Sequence, residues 1–281
     1  MLVKRALIAT AFVFVAAPAF AATAQATAPA APQASSPTAK PAAPRKPVKA
    51  SPEQRAEVER LDPLARATFW AREIDVDQTD NEARLKLAKA LRAMGRYEEA
   101  GQNADQLLVM QPKNYEALLE SARDRIGQNQ GFYAIDPAQR AEAIDPRDWR
   151  PVSLLAVGME QSQRDDEALA AHQRALTLAP NNPATLSNLG LYYATHGDPS
   201  RAEPLLRKAA EAPGAGPQER QNLALVLGLA GRIDEAEHLE RQDLPPETVT
   251  NNLAYLHAAT DPQPAAGAGG SRTWASVKSA Q

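Results

Sequence analysis

Asp75, Asp77 and Thr79 stand as D-x-D-x-T, the spacing with which aspartate-nucleophile phosphotransferases present a carboxylate at the end of a buried strand. The residues before it, ATFWAREI, read as helix, and no strand–helix alternation occurs elsewhere, so the match is expected to be accidental. The same aspartates suit the first and third ligand positions of a calcium loop. The sixth position is then Asp80 where glycine is needed, and the twelfth is Lys86 where a glutamate would chelate. His172, His196, His238 and His257 fall in separate segments, none four residues from another, so no pair on one helical turn addresses a metal. There is no G-x-S-x-G elbow and no phosphate-cradling glycine loop. The absence of cysteine excludes a thiol nucleophile, a thiolate zinc site and a disulfide. No catalytic, cofactor-binding or metal residue emerges, and the expectation is a protein that is not an enzyme.

The elements that could position a binding surface are helical. Of 281 residues 58 are alanine, the best helix former, while aromatics make up 5%, which argues against a β-sandwich. Charge is uneven: residues 51–260 hold 23 basic and 33 acidic groups, whereas 22–50 hold Lys40, Arg45, Lys46 and Lys49 and no acid. An acidic body repels phosphate, so no nucleic-acid partner is expected. Lys4 and Arg5, the apolar run Ala6 to Ala17 and the A-x-A of Ala19 to Ala21 read as a signal peptide over 1–21. That run rises only ~18 Å as a helix, too short for a hydrocarbon core of about 30 Å, so no integral span is expected after cleavage. Residues 22–50 contain eleven alanines and six prolines and read as a disordered basic tether, and 261–281 as a disordered tail.

Pro112, Pro146 and Pro180 recur every 34 residues, the tetratricopeptide period. With units starting at Asn81, Tyr115, Trp149, Pro183 and Pro217, the eighth position reads Ala88, Ala122, Ala156, Gly190 and Ala224. The twentieth reads Ala100, Ala134, Ala168, Ala202 and Ala236. Two antiparallel helices whose axes approach to about 8–10 Å need small side chains where they cross. Gly95, Gly197 and Gly231 occupy position fifteen, where a left-handed residue ends the first helix. The predicted fold is all-α: a right-handed tetratricopeptide solenoid of about five 34-residue helix-turn-helix units over 81–260. Capping helices are predicted from 51–80, with Phe69 and Trp70 packing on the first unit, and from Val249 to Ala259. In the second unit Asn129 replaces the turn glycine and Pro137 falls inside the second helix. That helix should therefore be short or broken, with 127–136 a loop exposing Phe132 and Tyr133.

In such a solenoid the first helices line a concave face. The positions free to meet a partner there include Lys86, Lys89, Arg123, Arg150, Ser187, Asn188, Gln221 and Asn222. Asn188 and Asn222 occupy equivalent sites, and stacked amides of this kind can hydrogen-bond an extended peptide backbone or else bond between helices.

Asp148 to Arg150 (DWR), LSNLGLYYATHGDPSRAEPLLRKAA, Arg220 to Leu227 (RQNLALVL), GLAGRIDEAE, Asp243 to Glu247 (DLPPE) and NNLAYLHA resemble the TadD-type tetratricopeptide proteins of the tight-adherence (Flp) pilus apparatus. The resemblance spans about 145–259 and is most specific in the QNLALVL and DLPPE segments, which generic repeats do not need. It implies a periplasmic scaffold that assists pilus assembly by binding the outer-membrane secretin or associated components. The alternative is an adaptor of another envelope or secretion complex. Members of that family are often lipoproteins. This chain has no lipobox cysteine, so the expectation is a periplasmic protein, peripheral to the outer membrane and held by its partners.

Overall fold

The computed structural model describes residues 48–260. The signal segment, the tether as far as residue 47 and the tail 261–281 lie outside the described residues. The described residues form thirteen helices and no strand. These are α1 (Pro52–Val58), α2 (Pro63–Val76), α3 (Asn81–Ala93), α4 (Tyr97–Met110), α5 (Tyr115–Gly127), α6 (Gly131–Ile144) and α7 (Trp149–Gln161). They continue with α8 (Asp165–Leu178), α9 (Pro183–Thr195), α10 (Pro199–Glu211), α11 (Pro217–Leu229), α12 (Ile233–Glu240) and α13 (Pro246–Thr260).

Local chemistry sets this regularity. The five first helices (α3, α5, α7, α9, α11) each run 13 residues and begin 34 apart. Asp80, Asn114, Asp148 and Asn182 stand just before four of them, and each accepts a backbone N–H of the first turn at 2.8–3.2 Å. Each such cap contributes about 1 kcal/mol. The fifth start has Gly216, whose own N–H donates to Glu219 at 2.9 Å. At the other end, position fifteen is left-handed in all five units: Gly95, Asn129, Gln163, Gly197 and Gly231 have φ of 74, 57, 60, 78 and 83°. The next N–H then reaches back to the carbonyl of position eleven at 2.8–3.0 Å, from Arg96 to Leu91, Gln130 to Arg125, Arg164 to Met159, Asp198 to Tyr193 and Arg232 to Leu227. This is the Schellman closure. Asn129 therefore makes the same reversal as the glycines instead of weakening it.

The chain divides into two compact units, one ending at Leu178 and the other beginning at Ala179. In the first, helices from α2 to α8 pack consecutively, and α5 also meets α3 and α7. Its N-terminal end is closed by Trp70, 1% exposed and in edge contact with Phe69 at 5.0 Å. The Arg55 guanidinium lies 5.3 Å from the Trp70 ring, and it pairs with Glu73, Asp80 (2.5 Å) and Glu82 (2.9 Å). The last tether residues are part of this seal: Lys49 pairs with Asp80 at 2.7 Å, and the Ala50 N–H donates to Glu73. In the second unit α9 to α12 pack consecutively and α13 lies on α11 and α12. That terminal helix starts at Pro246, three residues before the predicted cap, and it covers Gly228, whose Cβ position is occupied by Leu256.

All ten small residues at positions eight and twenty are buried. A Cβ on Gly190 would meet Leu206 at 2.7 Å, which shows how closely α9 and α10 approach. The second unit of the repeat departs from its sequence reading. Residues 131–144 are one unbroken helix containing Pro137, so 127–136 is not a loop. Proline removes one helical hydrogen bond, a cost of about 3 kcal/mol in isolation. Here Ala134, Ala138 and Ala141 are fully buried in a helix flanked by both α5 and α7, and that packing outweighs it.

Candidate functional site

The D-x-D-x-T residues sit at a helix end. Asp77 follows α2 and accepts the Thr79 hydroxyl at 2.7 Å and its N–H at 3.0 Å, bonds that hold its carboxyl below the usual range. This is a local turn that starts the chain toward α3, with no strand behind it. His172 is buried 3.4 Å from Glu160, His196 stacks on Tyr192 at 3.9 Å, and His238 and His257 are exposed. Among the described residues no three His, Asp or Glu side chains gather as a metal site.

The first-helix face is largely occupied by its own contacts. Lys86 pairs with Glu59 at 3.3 Å, Lys89 with Glu116 at 2.8 Å, and Arg123 with Glu120 at 2.6 Å. Arg150 reaches Glu116 at 3.1 Å and Asp148 at 2.6 Å, and stacks 5.4 Å from the Tyr115 ring. Tyr115 in turn donates to Asp148 at 2.6 Å. Glu116 thus accepts from hairpins on both sides. Burial works against its charge, yet Lys89 and Arg150 hold its carboxyl below the usual range. In the second unit Ser187 is 2% exposed and accepts from Asn222 at 2.9 Å. That pair ties α9 to α11, the inter-helix alternative for Asn222. Asn188 and Gln221 are half-buried.

A different surface is open. In the first unit, α4, α5 and α6 enclose a cleft of about 820 Å³, with Val109, Phe132, Tyr133 and Pro137 on its apolar walls. Val109 is 82% exposed, Phe132 69% and Tyr133 64%, and the two rings meet edge to face at 5.5 Å. The cleft's cations are matched: Arg125 pairs with Asp105 at 2.5 Å, and Arg140 with Asp136 at 3.3 Å. Exposed aromatics beside apolar walls and neutralised charges suit the burial of apolar side chains from another protein. Phe132 and Tyr133 were readable from the sequence as an exposed pair, and the structure places them on the first turn of α6.

Two features escaped the sequence reading. The carboxylates of Glu120 and Asp124 are fully buried in α5. For Asp124 the signal is the repeat register, because the equivalent positions carry Ala90, Gly158, Tyr192 and Val226, whereas Glu120 stands where the other units carry Lys86, Leu154, Asn188 and Asn222 and has no such cue. The second feature is the bidentate pair of Arg220 with Asp243, at 2.7 and 2.6 Å, which joins the RQNLALVL helix to the DLPPE segment. Residue types at a separation of 23 gave no periodic cue.

Comparison with known proteins agrees with this architecture. The tetratricopeptide repeat family model matches residues 184–212, the span of α9 and α10. Among solved structures, the chain is similar to a thermophilic tetratricopeptide protein of Thermus thermophilus, with 23% identity and a TM-score of 0.58, covering 63% of this chain and 99% of that one. It is also similar to a tetratricopeptide repeat protein of Parabacteroides merdae, with 14% identity and a TM-score of 0.61, covering 73% and 79%. MamA of Desulfovibrio magneticus aligns at 20% identity with a TM-score of 0.50, covering 57% and 90%. No curated protein matches. The fold is a tetratricopeptide-type helical solenoid, an architecture whose general use is as a protein-interaction scaffold.

Proposed function

We propose that this chain is an exported, non-enzymatic scaffold that assists assembly of a tight-adherence (Flp) pilus by binding its outer-membrane secretin or an associated component. The observation that carries the binding role is the cleft flanked by Phe132 and Tyr133, the exposed aromatic pair of the first unit. The pilus assignment is supported by the resemblance over 145–259. Its two most specific segments are the ones that Arg220 and Asp243 hold together, so the motif has a physical reason to occur as a pair. The periplasmic location follows from the signal-peptide reading of 1–21, and a mature N-terminus at Ala22 would support it. No helix among the described residues is long and apolar enough to cross a membrane, which fits peripheral association.

The test is crosslinking in intact cells, followed by identification of what is attached to the tagged chain. A Phe132→Ser, Tyr133→Ser double variant and the tag alone serve as controls. Capture of a secretin or other pilus component by the parent chain, lost in the double variant, is the expected result. Capture of unrelated envelope proteins would favour a periplasmic adaptor of another envelope or secretion complex. Equal capture by parent and variant would remove the cleft from the account.

A further inference from the structure

Position ten of the repeat is buried in every unit. It reads Ala90, Gly158, Tyr192 and Val226 in four of them and Asp124 in the second. An acid at a core position is costly unless it is paired or neutral. Asp124 is 0% exposed, and neither of its carboxyl oxygens has a hydrogen-bond donor. Its Cβ faces Gly101 of α4, so the side chain lies in the seam between α4 and α5. We propose that Asp124 is kept as an uncharged acid in the folded unit, and that losing its proton loosens the α4–α5 seam, a proton switch built into the first unit.

The surrounding charges explain why no cation rescues it. Arg92 of α3 bonds Glu120 at 2.7 Å and Arg123 bonds the other oxygen of Glu120 at 2.6 Å, so one buried carboxylate consumes both guanidiniums. Asp105 of α4 is taken by Ser121 at 2.8 Å and Arg125 at 2.5 Å, one on each side of Asp124 along the helix. The other acids of α4, Glu98 and Glu99, open that helix, and Glu99 pairs with Arg96. On α3, Arg84 bonds Gln106, Lys86 pairs with Glu59, Lys89 with Glu116 and Glu82 with Arg55. From α6 and α7 the α5 core meets Ala141 and Leu154. The charged groups of those helices are engaged elsewhere: Asp136 with Arg140, Glu142 with Arg174, Arg150 with Glu116 and Asp148, and Glu160 with His172. Burial, reinforced by the charge of Glu120 and opposed by Arg92 and Arg123, pushes the Asp124 carboxyl up to about 8.

The sign of the pH effect follows. In the unfolded chain an aspartate titrates near ~3.9. Between there and about 8 the folded state holds a proton that the unfolded state has released, so stability falls as pH rises across that window and levels off above it. One proton changes the folding constant by up to about tenfold per pH unit.

The experiment combines two measurements on the purified chain. The first follows the Asp124 carboxyl carbon by NMR, with through-bond assignment, from pH 4 to 9. The second compares the pH dependence of urea unfolding in the parent and in Asp124→Asn. The expected results are a protonated Asp124 signal at pH 6 and a folding constant that falls with pH in the parent relative to the variant. Groups common to both proteins cancel in that difference, among them Glu240, whose carboxyl is raised by burial. An ionised Asp124 signal at pH 6, or parallel stability profiles, would overturn the proposal. If Asp124→Asn fails to fold, the carboxyl titration of the parent decides alone.

Discussion

The hairpin α5–α6 and the hairpin α9–α10 share helix starts, a left-handed reversal and buried small residues at positions eight and twenty, and they differ in nearly everything else. In α9–α10 the core holds Leu186, Tyr192 and Tyr193, and Gly190 lies against Leu206. Both helices fall within the span matched by the tetratricopeptide family model. In α5–α6 the core admits Glu120 and Asp124 and two aromatic rings face solvent, whereas an interior proline is common to both second helices, Pro137 in α6 and Pro204 in α10. The lesson is that the backbone path depends on the few positions where main chains approach or reverse. The remaining positions are free to diverge, and the open cleft occurs where they have diverged most.

Six variants test that division, from large effects to small. Tyr192→Ala, which removes a 5%-exposed ring from α9, should cost about 3 kcal/mol in urea unfolding. A small loss would mean that the aromatic core of that hairpin is loosely packed. Ala134→Leu and Ala202→Leu, equivalent sites in the two hairpins and both fully buried, should each cost about 2–3 kcal/mol. If only one of them proves costly, the shared-crossing argument fails. Gly197→Val forces a branched residue to a φ of 78° and should cost about 1–2 kcal/mol. Asn129→Gly, at the equivalent reversal, should stay within about 0.5 kcal/mol of the parent. The smallest effect is expected for Phe132→Ser with Tyr133→Ser. These exposed changes should shift the unfolding midpoint by no more than about 0.5 kcal/mol in stability terms while lowering partner capture.

The sequence exposes the parts of the fold that sterics dictate. Alanine or glycine at Ala88, Ala100, Gly190 and their equivalents is readable because a larger side chain would separate the helices. Gln163 was invisible as a reversal because a left-handed residue is easiest for glycine without being restricted to it. Pro137 misled because local propensity argues for a break, while burial of Ala134, Ala138 and Ala141 along one face of the helix, before and after the proline, argues for continuity. At the candidate site, register told which residues share the first-helix face but not whether they were already engaged. The partners of Lys89 and Arg150 lie 27 and 34 residues away, on neighbouring hairpins. Asp124 becomes conspicuous only when position ten is compared across all units.

Glu116 is shared by Lys89 from the hairpin before it and Arg150 from the hairpin after it. In mechanical terms this single carboxylate is a rivet through three successive elements. Under tension at low ionic strength those hairpins should yield in one rupture event. Raising the salt to molar levels, where the screening length shrinks to about 3 Å, should let them peel apart one after another.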